Sequence, residues 1–375
     1  MTSRTSDGPT ANGLGPLAGL RVVEFVSIGP GPHCGMLLAD LGADVVRIDR
    51  PGGNGWPNPI VDRGRHVITV DMKETKGKAI CTAAASKADV LLEGFRPGVM
   101  ERLHMGPDLL LKNNPRLVYV RLTGWGQSGP LSRVAGHDIN YIALTGALAA
   151  IGPAGEASVP PLNLVGDFGG GSLLAAFGIM AALWERECSG LGQVIDAAIV
   201  DGVASMMTMF AGLLPSGRLS LDKNHNPLGG AAPFYRCYAC ADGAEIAVGA
   251  LEPHFYEEFI RKINAPPDFL LHQYDQSNWR SRAEALRKIF LTKSRTEWGE
   301  IFRGSDGCLC PVISLQESYA DPHMTDRETY VDANGLRQAA PAPRFSRTPG
   351  KIRPSGPGRD MLTSWGVDIE GDVHE

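Results

Sequence analysis

Several short stretches of this sequence carry side chains able to do chemistry. AGHDINYIALTG (residues 135–146) sets His137 beside Asp138, just ahead of a run that turns apolar. Histidine titrates near neutrality, so His137 either moves a proton or is incidental at a helix start whose first turn Asp138 caps. NLVGDFGGGS puts Asp167 directly before three glycines and a long apolar segment. A glycine-rich helix start lets a ligand approach the backbone and offers free amides to a developing oxyanion. Asp167 is therefore either an acid/base group beside such a site or an N-cap over a packing motif. In GALEPHF, Glu252 precedes Pro253, a residue suited to the first helical position, where a carboxylate is also at home.

Other motifs invite chemistry and do not sustain it. IGPGPHCG follows a strand-like run, and Asp49 ends the next one, as in a dinucleotide-binding turn. Gly29, Gly31 and Gly35 make GxGxxxG, however, and Pro30 and Pro32 remove amide donors from the loop that would hold a pyrophosphate. A hydrolase elbow, GxSxG, does not occur. Cys237 and Cys240 form a CxxC, and Cys308 and Cys310 are two apart. Zinc would require a second pair or histidines at compatible spacing, and a thiol-redox motif would open a helix. YRCYACADGAEIAVG alternates about a turn-like ADG instead and reads as a β-hairpin. The seven cysteines read as reduced thiols, and no metal site is expected.

These residues must be held by a sizeable scaffold. The chain has 375 residues, 43% hydrophobic and 21% charged, with formal net charge -5, which suits a globular enzyme and gives no reason to expect nucleic acid. No apolar run suggests a membrane span, and MTSRTSDGPTANGLGP lacks the apolar core of a secretory signal. Residues 1–15 read as a disordered leader, the closing DVHE matches no address signal, and the expected location is cytoplasmic. LRVVEFV, ADVVRID, RHVITVDM, ADVLLEGF and RLVYVRLTG read as strands, with helices at PHCGMLLADLG, KGKAICTAAASKA and PGVMERLHMG. That alternation predicts an α/β fold with a parallel sheet covered by helices. GDFGGGSLLAAFGIMAALWERE reads as a long buried helix, and GQVIDAAIVDGVASMMTMF as a strand running into another. The predicted organisation is a large domain over 16–214, a linker over 215–233, a small domain with a hairpin and amphipathic helices over 234–320, and a closing segment over 321–375.

LAGLRVVEF, LADLGADVVRIDRP, DMKETKGK, ADVLLEGFRPGVMERL, LVYVRLTGWGQSGP, GHDINYIALTG, NLVGDFGGGS and GQVIDAAIVDG occur in that order. Over roughly residues 16–350 the chain resembles the family III CoA-transferases and, within them, the α-methylacyl-CoA racemases. The resemblance implies a Rossmann-like large domain joined by linkers to a smaller α/β domain, with the closing segment returning to the large one. It also implies an interlocked homodimer whose active site lies between the large domain of one subunit and the small domain of the other. Transferases of the family use an aspartate as nucleophile through an acyl-enzyme anhydride. Racemases keep an aspartate there and add the histidine of GHDINY, where transferases show a YDxxxQAxxG-like block. His137 therefore favours the racemase, with the transferase as the alternative and a non-catalytic CoA-binding relative as a third reading.

The resemblance assigns roles residue by residue. His137 and Asp167 are the acid/base pair, His137 for the S face of the α-carbon and Asp167 for the R face. Glu252, from the partner subunit, orients His137. Arg50, Val70, Asp71, Met72, Lys73, Gly94, Phe95, Arg96 and Arg102 lie along the CoA moiety, as do Gly136, Asp138, Ile139, Asn140 and Tyr141 around the histidine. No cofactor is required, since CoA belongs to the acyl-CoA substrate. VPPLNLVG and the Met-rich MMTMF are candidates for an apolar acyl surface. PGGNGWPNPIVDRGRH is a loop in which family members differ.

Overall fold

A computed structural model describes residues 15–53, 55–217 and 219–369. All but residue 15 of the predicted leader, and the last residues of the tail, fall outside them. The chain begins with β1 (Arg21–Phe25), α1 (Pro30–Asp40), β2 (Asp44–Asp49), β3 (Arg65–Thr69), α2 (Thr75–Lys87), β4 (Val90–Glu93), α3 (Val99–Arg102), α4 (Pro107–Asn113) and β5 (Val118–Thr123). It continues with α5 (Asp138–Leu144), a π-helix (Leu164–Leu173) running into α6 (Leu174–Ser189), β6 (Val194–Ala198) and α7 (Ile199–Met206). Next come α8 (Thr208–Leu213), the hairpin β7 (Tyr235–Ala239) and β8 (Glu245–Gly249), α9 (Pro253–Lys262), α10 (Trp279–Phe290), α11 (Arg295–Phe302) and β9 (Leu309–Pro311). The close is β10 (Tyr330–Ala333), β11 (Leu336–Ala339), β12 (Gly356–Pro357) and a helix at Gly358–Ser364.

Contacts divide the chain into two units. The larger comprises the chain up to Leu144, Leu162–Met206 and everything from Pro322; the smaller comprises Thr145–Pro161 and Met207–Asp321. The larger unit is built on a seven-stranded sheet of order β12-β3-β2-β1-β4-β5-β6, parallel at every pairing. Its central strands are built on apolar pairs, Val22 and Val23, Val45 and Val46, Leu91 and Leu92, all fully buried or nearly so. Such pairs are what strands covered on both faces by helices require. One face packs against α2 and α4 through Ile80, Ala84 and Leu110, the other against α1 and α6 through Leu38, Ala175 and Ile179. β12 adds the closing segment of the chain to the edge beside β3, and β10 pairs with β11.

Two expectations need correction. The segment from Leu164 to Ser189 is helical, but it is not buried all round: Phe177 is 70% exposed and Trp184 77%. Its 26 residues are also long and apolar enough to cross a membrane by length and composition, contrary to the expectation from the sequence. One stripe of α6, Ala175, Ile179, Ala182 and Arg186, is buried. The smaller unit holds the antiparallel β7-β8-β9 sheet with α9, α10 and α11 packed around Phe234, Tyr256, Phe259, Phe290 and Trp298. Its cysteines are free thiols.

Candidate functional site

In a parallel sheet, ligands bind beyond the carboxyl ends of strands where the strand order reverses. Here the order runs outward from β1 in both directions, to β2 and β3 on one side and to β4, β5 and β6 on the other. A cavity of about 730 Å³ opens there. Its walls come from the segments after β1 (Ser27–Pro30), β4 (Gly94–Pro97) and β5 (Gly124, Trp125), from Gly136, His137 and Tyr141, and from Asn163, Asp167 and Phe168. Trp56, Pro57, Asn58, Val61 and Asp62, from the loop between β2 and β3, complete it.

His137 lies immediately ahead of α5. Its N–H donates to Asn140 Oδ1 at 3.0 Å, and its carbonyl accepts the Asn140 amide at 2.8 Å. Asn140, rather than Asp138, thus secures this turn. Tyr141 is held by its hydroxyl, which donates to the Gly136 carbonyl at 2.5 Å, and by edge-on packing against Trp125 at 4.8 Å. The imidazole is left exposed toward the cavity wall it forms.

Asp167 lies in the π-helix. Burial pushes its carboxyl above the ordinary range; Asn163 and His137 pull it back, and the Asp138 carboxylate adds to the rise. Asn163 Nδ2 donates to Asp167 Oδ2 at 3.2 Å. The same oxygen lies against Gly29, where a Cβ would stand 3.0 Å from it; Gly29 has φ 72°, a conformation natural to glycine. The expected oxyanion site at the GGGS amides does not form as foreseen. In a π-helix the amides beyond the first turn bond five residues back, as Phe168 N does to Asn163 O at 3.2 Å, so the glycine amides lie inside the ladder. On the far side, His33 Nδ1 and Ser172 Oγ are hydrogen-bonded at 2.6 Å, and the His33 ring packs on Phe168 at 4.6 Å.

Of the remaining expected residues, Gly94, Phe95, Arg96, Gly136 and Tyr141 line the cavity with His137 and Asp167. Among the described residues Arg96 is its one Arg or Lys side chain. Arg50, Val70, Asp71, Met72, Lys73, Arg102, Asp138, Ile139 and Asn140 are not in its wall. Arg50 Nε donates to Gly53 O, Lys73 is exposed, Arg102 is exposed on α3, and Val70 is buried in the core with Met72 against it. Glu252 belongs to the smaller unit, at the N-cap of α9. Its carboxylate is exposed and makes no hydrogen bond or ion pair among the described residues. The turn before it is pinned by Gln273 Nε2, which donates to the carbonyls of Ala250 and Leu251 at 3.1 and 2.8 Å.

Sequence reasoning missed Asn163, Trp56, Asp62 and the ionic frame behind the cavity. Arg47 Nη1 pairs with Asp62 at 2.7 Å, and fully buried Arg65 pairs with Glu24 at 3.1 Å while donating to the carbonyls of Val61, Arg63 and Pro32. A signal was present: buried strands seldom carry Glu or Arg without a partner, and Glu24 and Arg47 interrupt VVEF and VVRID.

Residues 17–361 match the family model described as CoA-transferase family III. An α-methylacyl-CoA racemase of Mus musculus is 44% identical over 334 residues, 89% of this chain and 87% of that protein. The α-methylacyl-CoA racemase of Homo sapiens is 43% identical over 337 residues, with the same shares covered. A CAIB/BAIF family protein from Brucella suis, 23% identical, has the same fold, with a TM-score of 0.80 over 94% of this chain and 99% of that one. With its sheet, its cavity and a family match spanning nearly its whole length, the chain belongs to the family III CoA-transferases.

Proposed function

We propose that this enzyme is a 2-methylacyl-CoA racemase, interconverting (2R)- and (2S)-thioesters by 1,1-proton transfer. One observation carries the reading above all: a histidine and a carboxylate, His137 and Asp167, share one cavity wall at the switch point of the sheet. Racemisation removes a weakly acidic α-proton and returns a proton to the opposite face, which needs two groups in opposite protonation states. From the S epimer, neutral His137 takes the α-proton, the electron pair moves onto the thioester oxygen as an enolate, and protonated Asp167 delivers its proton to the other face. From the R epimer the roles exchange. Burial raises the Asp167 carboxyl above its ordinary range, the direction that favours its taking up a proton. Arg96 offers a phosphate of CoA its charge. The carbon acid is activated by the thioester itself, so the reaction calls for no cofactor.

The same reading includes a homodimer. The exposed apolar face of α6, with Phe177 and Trp184 and with Leu173 at the end of the π-helix before it, is unusual for a surface that meets only water. Exposed Glu252 would come from the partner subunit to orient His137. The experiment uses a single 2-methylacyl-CoA enantiomer in deuterated water without an acceptor acid. Exchange of the α-proton and approach to a near-equal mixture of epimers is expected. Absence of exchange, with CoA transfer once a free acid is added, would sink the racemase reading and leave Asp167 as an acyl-accepting nucleophile. His137→Ala should abolish racemisation and leave CoA binding largely intact.

A further inference from the structure

We infer that Asp138 is the positioning residue that fixes the two bases relative to one another, its carboxylate gripping the backbone of Asp167 while its own backbone carries His137. The inference rests on the racemase reading above. Asp138 Oδ2 accepts the Asp167 amide at 2.7 Å, across 29 residues of sequence. The residue is 8% exposed, and among the described residues the carboxylate has no ion pair. Its other oxygen, Oδ1, is buried without a hydrogen-bond partner. A buried carboxylate with so little compensation is costly, and its single bond goes to the one element that carries the second base.

Both elements are shaped for this contact. The amides in the first turns of a helix have no partner within it, and Asp167 N is one of them. Asp138 therefore caps the π-helix from outside, leaving Asn140 to serve its own turn. A Cβ on Gly166 would lie 2.4 Å from Asp138 Oδ2, so the chain leaves space there for the carboxylate and for nothing larger than hydrogen. His137 and Asp167 are thereby joined by one peptide bond and one short hydrogen bond. Two bases that must act in line on opposite faces of one carbon gain directly from such a link, since small misplacements are expensive in rate.

The charges that face Asp167 come from one side. They are His137 and Asp138, with the Tyr141 phenol beside them; Gly29 just ahead of α1, Pro30 of α1, Asn163 and Ile199 are neutral. Asp138 raises the Asp167 carboxyl and His137 lowers it. Two substitutions separate geometry from charge. Asp138→Asn keeps an oxygen that can accept the Asp167 amide but removes the charge. Asp138→Ala removes both.

The test measures α-proton exchange from each pure enantiomer in deuterated water, across pH, for wild type and both variants, with circular dichroism and calorimetric CoA binding on the same samples. Asp138→Ala should lower kcat from both enantiomers by ~10–100-fold, with a smaller change in KM, as loss of a charge-assisted hydrogen bond and of alignment predicts. Asp138→Asn should keep exchange within about tenfold of wild type. Its pH profile should move the limb that reports Asp167 to lower pH. Asp138→Ala exchanging like wild type, or Asp138→Asn falling as far as Asp138→Ala with no movement of that limb, overturns the inference. A wild type that exchanges no α-proton refutes the racemase reading itself and this inference with it.

Discussion

Replacing Glu93 by Gln should remove a pH-dependent weakness from the larger unit. Glu93 ends β4 directly before the cavity-lining Gly94–Pro97, and it is 1% exposed. Its Oε2 accepts the Phe95 amide at 2.7 Å and its Oε1 accepts from Arg121 Nε at 3.1 Å. Both donors favour the carboxylate, yet burial outweighs them and pushes the carboxyl up to about 7 from an ordinary 4.5. The gap converts to ~3 kcal/mol. The folded state holds the proton more tightly than the unfolded chain, so this contribution is full below pH 4.5 and is lost as pH rises toward 7. Glutamine cannot titrate. Urea unfolding of both proteins at one fixed concentration, from pH 4.5 to 8, should show the wild type losing ~3 kcal/mol relative to Glu93→Gln across that window. A difference that stays flat would refute the claim that burial, and not the Arg121 pair, governs this carboxyl. A second readout follows from geometry: the Gln amide can offer oxygen to Phe95 or to Arg121 but not to both, so KM should rise more than kcat falls.

Gly29→Ala should lower kcat by about a hundredfold, because the new methyl displaces the Asp167 carboxylate and strains a left-handed backbone, while calorimetric CoA binding stays near wild type. Arg96→Ala should raise KM by ~10–100-fold with little change in kcat, the loss of one charge-assisted contact, and should weaken the dependence of KM on salt. If the proposed dimer forms through α6, Trp184→Asp, alone or with Phe177→Asp, should convert it to monomer in light scattering after size exclusion; an unchanged mass would remove α6 as the interface.

Much of the scaffold was legible because its signals are local. The apolar runs that became β1, β2, β4 and β5 stand between turn residues, and the alternation about ADG became the β7–β8 hairpin. The site was legible only as separate blocks. Of the blocks expected to hold CoA, GFRP and GHDINY contribute cavity wall, while Arg50 and Val70–Lys73 do not. Strand order explains the split. Arg50 follows β2 and Val70–Lys73 follow β3, on one side of β1, whereas the cavity opens over β1, β4 and β5. Sequence order gives no warning of it, since β1, β2 and β3 are consecutive in the chain and β4 crosses back to the other side of β1. The β2–β3 loop returns Trp56 and Asp62 to the cavity, and the partner that holds Asp62 there, Arg47, lies inside a strand whose pattern reads as core.

The π-helix was hidden for a different reason. Periodicity is read from side chains, and GDFGGGS has few, so nothing in it distinguishes bonds four residues back from bonds five back. Yet that choice withdraws the glycine amides from an oxyanion and leaves the Asp167 amide to be capped from α5. Asp138 looked like a cap and is one; the helix it caps begins 26 residues later. A one-dimensional reading assigns a cap to the nearest helix, and here that habit conceals the contact that ties the His137 turn to Asp167.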